Sequence, residues 1–305
     1  MLQTRRNSVK GDDWSEALAH RAAEDAAVQF GIADRGDELE LLKWGTNANF
    51  RFGAGLLRVA RPEVPAGLPA REVAVSEELG RLGVPAVAAI EAAPAVTHGC
   101  QVTLWRWEEH LAIDPPGRAR ELGSLLRTLH SAGRPNLDLP RWDGLELIAR
   151  HLGVVESTGR LDPGDLRLLT TRRDELASRW GTVTSAEEEV AVHGDLHFGN
   201  VLLSPRGLLL ADLETFSLGP PEVDLVPVMV SVRRFGMSPQ VLDDFLAGYG
   251  WTPGTEDRER LGVACEIRAL LTTTWLASVS PDHPDLAVRL EYWRDGVTAA
   301  PWQAS

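Results

Sequence analysis

Apolar positions follow strand-like and helical spacings in the first third of the chain. A helical period predicts a helix near residues 14–30, and residues 70–82 follow the same spacing. Short apolar runs bounded by glycine or proline predict strands between and after these helices. The predicted strands are LELLKW, NFRFGAG, GLLRVARP, VPAVAAIEAAP and CQVTLWRW. This part of the chain is therefore expected to form a small sheet with helices.

From Pro115 onward, helical spacing dominates the pattern. Leu122, Leu125, Leu126 and Leu129 recur at i, i+3, i+4 and i+7, which is the stripe of a helix packed on a core. Only EVAV, VLLS and GLLLAD, between residues 189 and 212, have the short apolar character of buried strands. The chain has 305 residues, more than one core usually organises, so two domains or lobes are expected.

Charge and composition narrow the functional classes. The chain has 44 acidic and 31 basic residues, a net charge of −13, and no long basic run, which argues against nucleic-acid and anionic-membrane partners. No apolar run approaches the roughly 18 residues of a membrane span, and the N-terminus has no signal-peptide pattern, so a soluble cytoplasmic protein is expected. Cys100 and Cys265 fit neither a disulfide framework nor a metal motif, and are predicted to be core thiols.

The stretch VAVHGDLHFGNVLLSPRGLLLADLETF concentrates the candidate chemistry. If Pro205-Arg206-Gly207 forms a turn, Leu203 pairs with Leu208 and Val201 faces Leu210. Asn200 and Asp212 then lie together at the open end of the hairpin, with Asp195 on the preceding loop. Three oxygen-bearing side chains can thus surround one hard cation.

The spacing H-G-D-L-x-x-x-N matches the catalytic loop of kinases, in which the Asp takes the acceptor proton and the Asn binds Mg²⁺. This pattern predicts Asp195 as the base, with Asn200 and Asp212 as metal ligands. His193 is predicted to hold the loop by a hydrogen bond. The alternative is that these residues cap a turn and end a strand.

A phosphate anchor is predicted at Arg58. The only lysines are Lys10 in the N-terminal tail and Lys43, so the strand position that usually carries lysine falls to Arg58 in GLLRVARP. Glu72 shares a helix face with Val75 and Leu79, and a carboxylate facing the core needs a cation opposite. A buried ion pair without a ligand is the alternative.

The turn before the second predicted strand contains one glycine, so the three-glycine loop of protein kinases is absent. Gly45, Thr46 and Asn47 could still offer donors to phosphates from this turn. An ordinary hairpin is an equal alternative.

Taken together, these residues resemble the aminoglycoside phosphotransferase family, a kinase-like group that includes choline and homoserine kinases. LLRV, REVAVSEELGRLGVP, VTLWRW, LGSLLRTLHS, HGDLHFGN and ADLETFSLGPPEVDL match in order and approximate spacing, over most of the chain. HGDLHFGN is the specific motif. HGD replaces the HRD of protein kinases, DLE replaces DFG, and no APE follows, so a constitutive small-molecule kinase is expected.

The resemblance implies an α+β, protein-kinase-like fold with ATP, or GTP as an alternative, between two lobes. The expected division is a tail at 1–12, an N-lobe at 13–103, a hinge at 104–110 and a C-lobe at 111–305. Adenine is expected against the backbone of Trp105, Arg106 and Trp107. Asp224 is expected to brace the catalytic loop.

The resemblance also implies a small hydroxylated acceptor, with an aminoglycoside or related natural product favoured and choline, homoserine or a sugar as alternatives. The acidic C-terminal part favours a cationic acceptor, although solvated helix faces give the same count. Candidate acceptor contacts are Trp142, Glu266, Trp275 and Asp282, and also Trp251 and Asp285. The oligomeric state is not predictable.

Two other functional classes stay open. One is a nucleotide-binding regulator without transfer activity, suggested by the missing strand lysine and the reduced glycine loop. The other is a metal-dependent hydrolase using His193, His197 and Asp195, which needs more ligands than the sequence offers.

Overall fold

A computed structural model describes residues 14–32, 38–45, 47–183, 189–252, 254–296 and 302. The predicted tail at 1–12 lies outside these residues. Contacts divide the chain into two compact units, Met1–His110 and Leu111–Ser305.

The described residues of the first unit form an antiparallel sheet and two helices. The strands lie in the order β1-β2-β3-β5-β4, and β2 and β3 form a hairpin whose turn contains Gly53, at φ 54°. A positive φ suits glycine because it has no Cβ. The elements are α1 (Glu16–Gln29), β1 (Glu40–Lys43), β2 (Asn47–Phe52), β3 (Gly55–Ala60), α2 (Leu68–Arg81), β4 (Ala95–Thr97) and β5 (Cys100–Arg106).

Helix α1 packs on the sheet through alanines. The Ser15 side chain accepts a hydrogen bond from the backbone N–H of Leu18 and caps the helix. The alanine face lets the helix approach the core residues of the strands closely. Its buried residues are Ala19, Ala22, Ala23, Ala26 and Ala27.

The prediction of a strand over VPAVAAIEAAP is wrong. The fourth strand forms later, at Ala95–Thr97, and Ala89 makes only an isolated bridge to Trp105. Ser76 on α2 explains the difference: its hydroxyl donates to Val87 O and accepts from Ala89 N. A helix side chain thus satisfies backbone groups that a strand ladder would otherwise need.

The second unit is mostly helical, as the sequence predicts. Two small antiparallel pairs, β6–β9 and β7–β8, interrupt the helices, and short 3-10 turns cover Phe198–Asn200 and Leu213–Thr215. The helices are α3 (Pro115–Ser131), α4 (Gly144–Thr158), α5 (Pro163–Val183), α6 (Glu222–Arg234), α7 (Pro239–Tyr249), α8 (Thr255–Val279) and α9 (Pro284–Asp295). The strands are β6 (Val190–Val192), β7 (Val201–Ser204), β8 (Gly207–Leu210) and β9 (Ser217–Gly219).

Helices α3 and α7 approach each other at two glycines. A Cβ on Gly123 would lie 2.0 Å from Phe245 O, and one on Gly248 would lie 2.0 Å from Arg120 O. The backbones therefore meet where no larger side chain fits. The predicted leucine stripe of α3 is buried.

Both cysteines are buried free thiols, as predicted. Burial raises the pKa of Cys265 to about 11, so this thiol stays protonated and unreactive near neutrality. None of the helices that the structure describes combines the length and the apolar character of a membrane span.

Candidate active site

The hairpin β7–β8 has the predicted register. Leu203 pairs with Leu208 and Val201 pairs with Leu210. One step further, the N–H of Ala211 donates to the carbonyl of Asn200 at 3.0 Å. Asn200 and Asp212 therefore leave the hairpin at the same open end.

Asp212 has left-handed backbone geometry, with φ 58° and ψ 63°. Few non-glycine residues adopt this region, although Asp tolerates it better than most. The backbone turns sharply here from β8 into the 3-10 turn. This bend sets the direction in which the carboxylate leaves the hairpin end.

Asp195 and Asn200 are hydrogen-bonded to each other. The Asn200 Nδ2 donates to the Asp195 carbonyl at 3.0 Å and to Asp195 Oδ2 at 3.3 Å. This arrangement turns the amide nitrogen toward Asp195, and no described residue donates to the amide oxygen. Since carboxylate and amide oxygens are the atoms that hard cations prefer, the donor set fits Mg²⁺.

Asp224 on α6 fixes the loop that carries Asp195. Its carboxylate is fully buried and accepts from the backbone N–H groups of His193 and Gly194, both at 2.7 Å. His130 Nε2 lies 3.1 Å from Asp224 Oδ2, and its Nδ1 lies 2.9 Å from the Tyr249 hydroxyl. Residues from α3, α6 and α7 thus converge on one loop.

The side chain of His193 fastens the same loop to the hairpin end. Its Nε2 lies 2.8 Å from the Ala211 carbonyl. A carbonyl only accepts, so Nε2 must carry the proton. The His193 carbonyl accepts from the Thr215 hydroxyl at 2.8 Å. His193 is therefore held from both its backbone and its ring.

Position 194 requires glycine. Its φ is +84°, and a Cβ there would lie 2.5 Å from the Thr215 carbonyl oxygen. The backbone conformation and the missing space explain why this loop reads HGD where protein kinases have HRD.

Arg268 is a site residue that the sequence reasoning missed. It reaches from α8 to Asp195, and its Nη2 lies 2.5 Å from Asp195 Oδ1. The surrounding positions of α8, including Ile267, Ala269 and Leu270, are buried and apolar. An arginine inside such a run signals a buried cation that needs a partner, and this signal was available in the sequence.

His197 lies beside this ion pair. Its Nε2 is 3.9 Å from Asp195 Oδ1, and its Nδ1 accepts from Gly199 N at 2.9 Å. Burial lowers the pKa of His197, and Asp195 opposes this effect only in part. The imidazole is therefore neutral near pH 7.

In the first unit, Arg58 and Glu72 form the predicted ion pair. Arg58 Nη1 donates to Glu72 Oε2 at 2.8 Å, and the side chains are 17% and 6% exposed. When the Asn47 side-chain amide is oriented with its oxygen toward the guanidinium, that oxygen accepts hydrogen bonds from Arg58 Nε at 3.1 Å and Nη2 at 2.7 Å. Asn47 therefore belongs to the arginine cluster at the start of β2.

The other residues predicted to bind the nucleotide lie in the turn at 45–47 and in the segment 105–107. Thr46 lies outside the described residues, and the Gly45 carbonyl accepts from Trp14 Nε1 at 3.2 Å. Arg106 N donates to Ala88 O and Trp107 N donates to Ala54 O, both at 2.8 Å. These two N–H groups therefore already have backbone partners.

The candidate acceptor residues are dispersed over the second unit. Glu266 contacts Arg234 and Tyr292, and Asp282 pairs with Arg160 on the surface. Trp142 packs edge to face on Trp180, Trp251 on Tyr249, and Asp285 pairs with buried Arg289. Trp275 is 41% exposed. Within the part of the chain that the structure describes, no hydrogen bond, ion pair or ring contact joins any of these side chains to Asp195.

The profile of the phosphotransferase enzyme family (APH) matches residues 38–262, which include both the arginine cluster and the hairpin site. The chain belongs to this family, and the resemblance inferred from HGDLHFGN is confirmed. Its family is one of phosphotransferase enzymes. A hydroxyurea phosphotransferase from Kitasatospora aureofaciens is 38% identical over 85 residues, which are 28% of this chain and 24% of that protein.

Two solved structures show the same fold. A choline/ethanolamine kinase family protein from Mesorhizobium loti has a TM-score of 0.65 at 21% identity, over 91% of this chain and 99% of that one. The amicoumacin kinase hAmiN, in complex with AMP-PNP, Ca²⁺ and Ami, has a TM-score of 0.71 at 12% identity, over 95% and 98%. The predicted kinase-like fold class, with a β-rich part followed by a mostly helical part, is confirmed.

Proposed function

We propose that this protein transfers the γ-phosphoryl group of ATP, with GTP as the alternative donor, to a hydroxyl of a small molecule. The observation that carries the proposal is the convergence of Asp195, Asn200 and Asp212 at the open end of one hairpin. Kinase chemistry needs a carboxylate at the nucleophile and hard oxygen ligands for a divalent ion. Family membership supports the same reaction class.

Asp195 is the proposed catalytic base. Its carboxylate accepts the proton of the acceptor hydroxyl as the hydroxyl oxygen attacks the γ-phosphorus in line. The bond from that phosphorus to the β,γ-bridging oxygen breaks, and ADP leaves with the bond's electron pair. Positioning and electrostatics supply most of the acceleration in such transfers.

Asn200 and Asp212 are the proposed ligands of Mg²⁺. When bound, the ion neutralises developing charge on the β- and γ-phosphates. The Asn200 amide nitrogen faces Asp195, so its oxygen is the atom that would hold the ion. The complex of hAmiN with AMP-PNP and Ca²⁺ supports a nucleotide and a divalent ion.

Arg58 is the proposed phosphate anchor, oriented by Glu72 and Asn47. A guanidinium can bind phosphate oxygens through two parallel N–H groups. His193 and Asp224 are proposed to support the loop without contacting substrate. The backbone of Trp105, Arg106 and Trp107 is proposed to lie against the adenine.

The proposed acceptor is a hydroxylated antibiotic or related natural product, with aminoglycosides first among the compounds to test. Choline, homoserine and sugars are the alternatives, and the named relative places hydroxyurea on the same panel. Trp275 is the best placed of the predicted acceptor residues, because it is exposed on α8, the helix that also carries Arg268. Trp142, Glu266 and Asp282 have other partners, as described above.

The test is mass spectrometry of the panel after incubation with Mg-ATP. The wild type is expected to add a phosphate mass to one class of compound, and Asp195→Asn is expected to lose this product. Asp243→Asn is a matched control, because Asp243 is exposed on α7, and it should keep full activity.

Calorimetry provides a readout that does not need the acceptor. Wild type should bind ATP more tightly with Mg²⁺ than without it, and Asp212→Asn should lose this difference. A chain that binds Mg-ATP but phosphorylates nothing would favour the regulator. Failure of both assays would contradict the proposed function.

The hydrolase has less support, because the described residues contain no group of three or more His, Cys, Asp or Glu able to hold a metal.

A further inference from the structure

The ion pair between Arg268 and Asp195 places a cation beside the proposed base. Nη2 of Arg268 lies 2.5 Å from Asp195 Oδ1, and the arginine side chain is 16% exposed. The Oδ1 atom is itself buried. The guanidinium therefore covers one oxygen of the carboxylate that the acceptor hydroxyl must reach.

Any hydroxyl that binds Asp195 must consequently lie close to Arg268. The other carboxylate oxygen, Oδ2, accepts from Asn200 at 3.3 Å. The two oxygens of one carboxylate are close neighbours, so a hydroxyl on either of them brings its flanking groups next to the guanidinium. The charge of those flanking groups then decides whether they are attracted or repelled.

The guanidinium of Arg268 has N–H donors that could bind a ligand. A guanidinium carries five N–H groups and stays charged at all working pH values. Within the described ranges, Asp195 is the one residue with which Arg268 shows an ion pair or hydrogen bond, and Nη2 makes that contact. A mostly buried arginine with N–H groups unused by these residues is suited to bind an oxygen of a ligand.

The charged groups beside Arg268 are Asp195, its ion-pair partner, and Asp212, the proposed metal ligand, which acts electrostatically on His197. His197 is neutral near pH 7, because burial lowers its pKa. Two turns further along the same face of α8 lies Trp275, which is 41% exposed. The face of α8 that carries Arg268 therefore also presents an exposed aromatic ring.

On the basis of the proposed function, we infer that Arg268 determines acceptor specificity. It selects a hydroxyl that has a carbonyl or carboxylate oxygen beside it, and it rejects a hydroxyl flanked by an ammonium group. The oxygen accepts a charge-assisted hydrogen bond from the guanidinium, whereas an ammonium meets a like charge. An aminoglycoside would then react only at a hydroxyl remote from its amino groups.

The experiment uses three matched probes: glycerate, glycerol and serinol, which are anionic, neutral and cationic C3 alcohols. The arginine Nε–H resonances of ¹⁵N-labelled full-length protein are followed during each titration. The Arg268 signal is identified by its disappearance in Arg268→Lys. We expect glycerate to shift this signal at concentrations at least about tenfold below those that serinol needs.

Variants separate charge from folding. Arg268→Gln should abolish the difference between glycerate and serinol, seen through the indole N–H of Trp275, and Arg268→Lys should retain it. Arg258 is an exposed arginine on the same helix, and Arg258→Gln should behave as wild type.

With the acceptor found on the panel, Arg268→Gln should raise the acceptor KM at least about tenfold while the ATP KM stays constant.

The outcomes distinguish this inference from the proposed function. Equal binding of glycerate and serinol, or no binding of either, would overturn the role of Arg268, even if the protein is an active kinase. An Arg268-dependent preference for glycerate in a protein that transfers no phosphate would uphold the anion site and refute the proposed function. An acceptor KM unchanged in Arg268→Gln would also overturn the inference.

Discussion

Arg58 on β3 and Glu72 on α2 are joined by a hydrogen-bonded ion pair of 2.8 Å, although the residues are 14 positions apart. Both side chains are largely shielded from water, and Asn47 faces the same guanidinium. The pair therefore sets the position of a helix relative to the sheet in the first unit, and it orients the proposed phosphate anchor.

Removing the carboxylate from this pair should affect both stability and nucleotide binding. Glu72→Ala leaves a shielded arginine without its ionic partner, which should lower the free energy of unfolding by about 3 kcal/mol. Urea denaturation gives the free energy, and calorimetry gives the Kd of Mg-ATP, which should rise. Glu77→Gln, exposed on the same helix, is the control. An unchanged Kd in folded Glu72→Ala would contradict the anchor.

Asp224→Asn should disrupt the catalytic loop more than the fold. The carboxylate accepts two backbone N–H groups, and the amide nitrogen of asparagine cannot accept either of them. One buried donor left unsatisfied costs about 1–3 kcal/mol. A displacement of Asp195 by about 1 Å can reduce kcat about a hundredfold. Steady-state kinetics should show this fall in kcat, and a variant with normal kcat would exclude the bracing role.

Gly194→Ala should be strongly unfavourable. Alanine at φ +84° is strained, and its Cβ would meet the Thr215 carbonyl oxygen. The strain alone costs about 1–3 kcal/mol. Gly153→Ala is the matched control, because Gly153 lies in α4 with open space around its Cβ position. This second variant should stabilise the protein by about 0.5–1 kcal/mol in the same denaturation assay. Equal effects of the two substitutions would show that position 194 tolerates a side chain.

His151 should make the protein sensitive to acid. Burial, with a smaller contribution from Arg150, lowers the pKa of His151 to about 4 from the model-peptide value of 6.5. The unfolded state therefore binds more protons between these values, so this contribution to stability is complete above the unfolded pKa. It falls as the pH drops toward the folded pKa.

Denaturation midpoints should show this dependence. Between about pH 7 and about pH 5, the His151 contribution should decrease by about 2 kcal/mol. His151→Gln should flatten the pH profile in this interval. A profile that stays equally steep would assign the acid sensitivity to other groups.

Short-range patterns predicted much of the structure. The hairpin register from Leu203 to Leu208 followed from turn residues and apolar alternation, and it placed Asn200 beside Asp212. The pairing of Arg58 with Glu72 followed from the cost of burying a lone carboxylate. In both cases, the prediction needed one physical requirement and the regular spacing of residues along a strand or a helix.

Features that depend on tertiary contacts escaped prediction. The segment before Ala95 contains a strand-like apolar run, but Ser76 binds its backbone and takes the place of a ladder. Arg268 lies 73 positions after Asp195, and no local pattern joins α8 to the catalytic loop. These features depend on contacts between elements whose relative positions could not be predicted from the sequence.

The two hydrogen bonds to Asp224 also determine how the catalytic loop exchanges its amide protons. Loop amides usually exchange through small local openings. The N–H groups of His193 and Gly194 point at a carboxylate that is 0% exposed, so their exchange must wait until α6 separates from the loop. In deuterated water, the amide protons of this loop should exchange as slowly as those of the helical core. Heat inactivation and global unfolding should then coincide, because the loop cannot melt ahead of the domain that holds it.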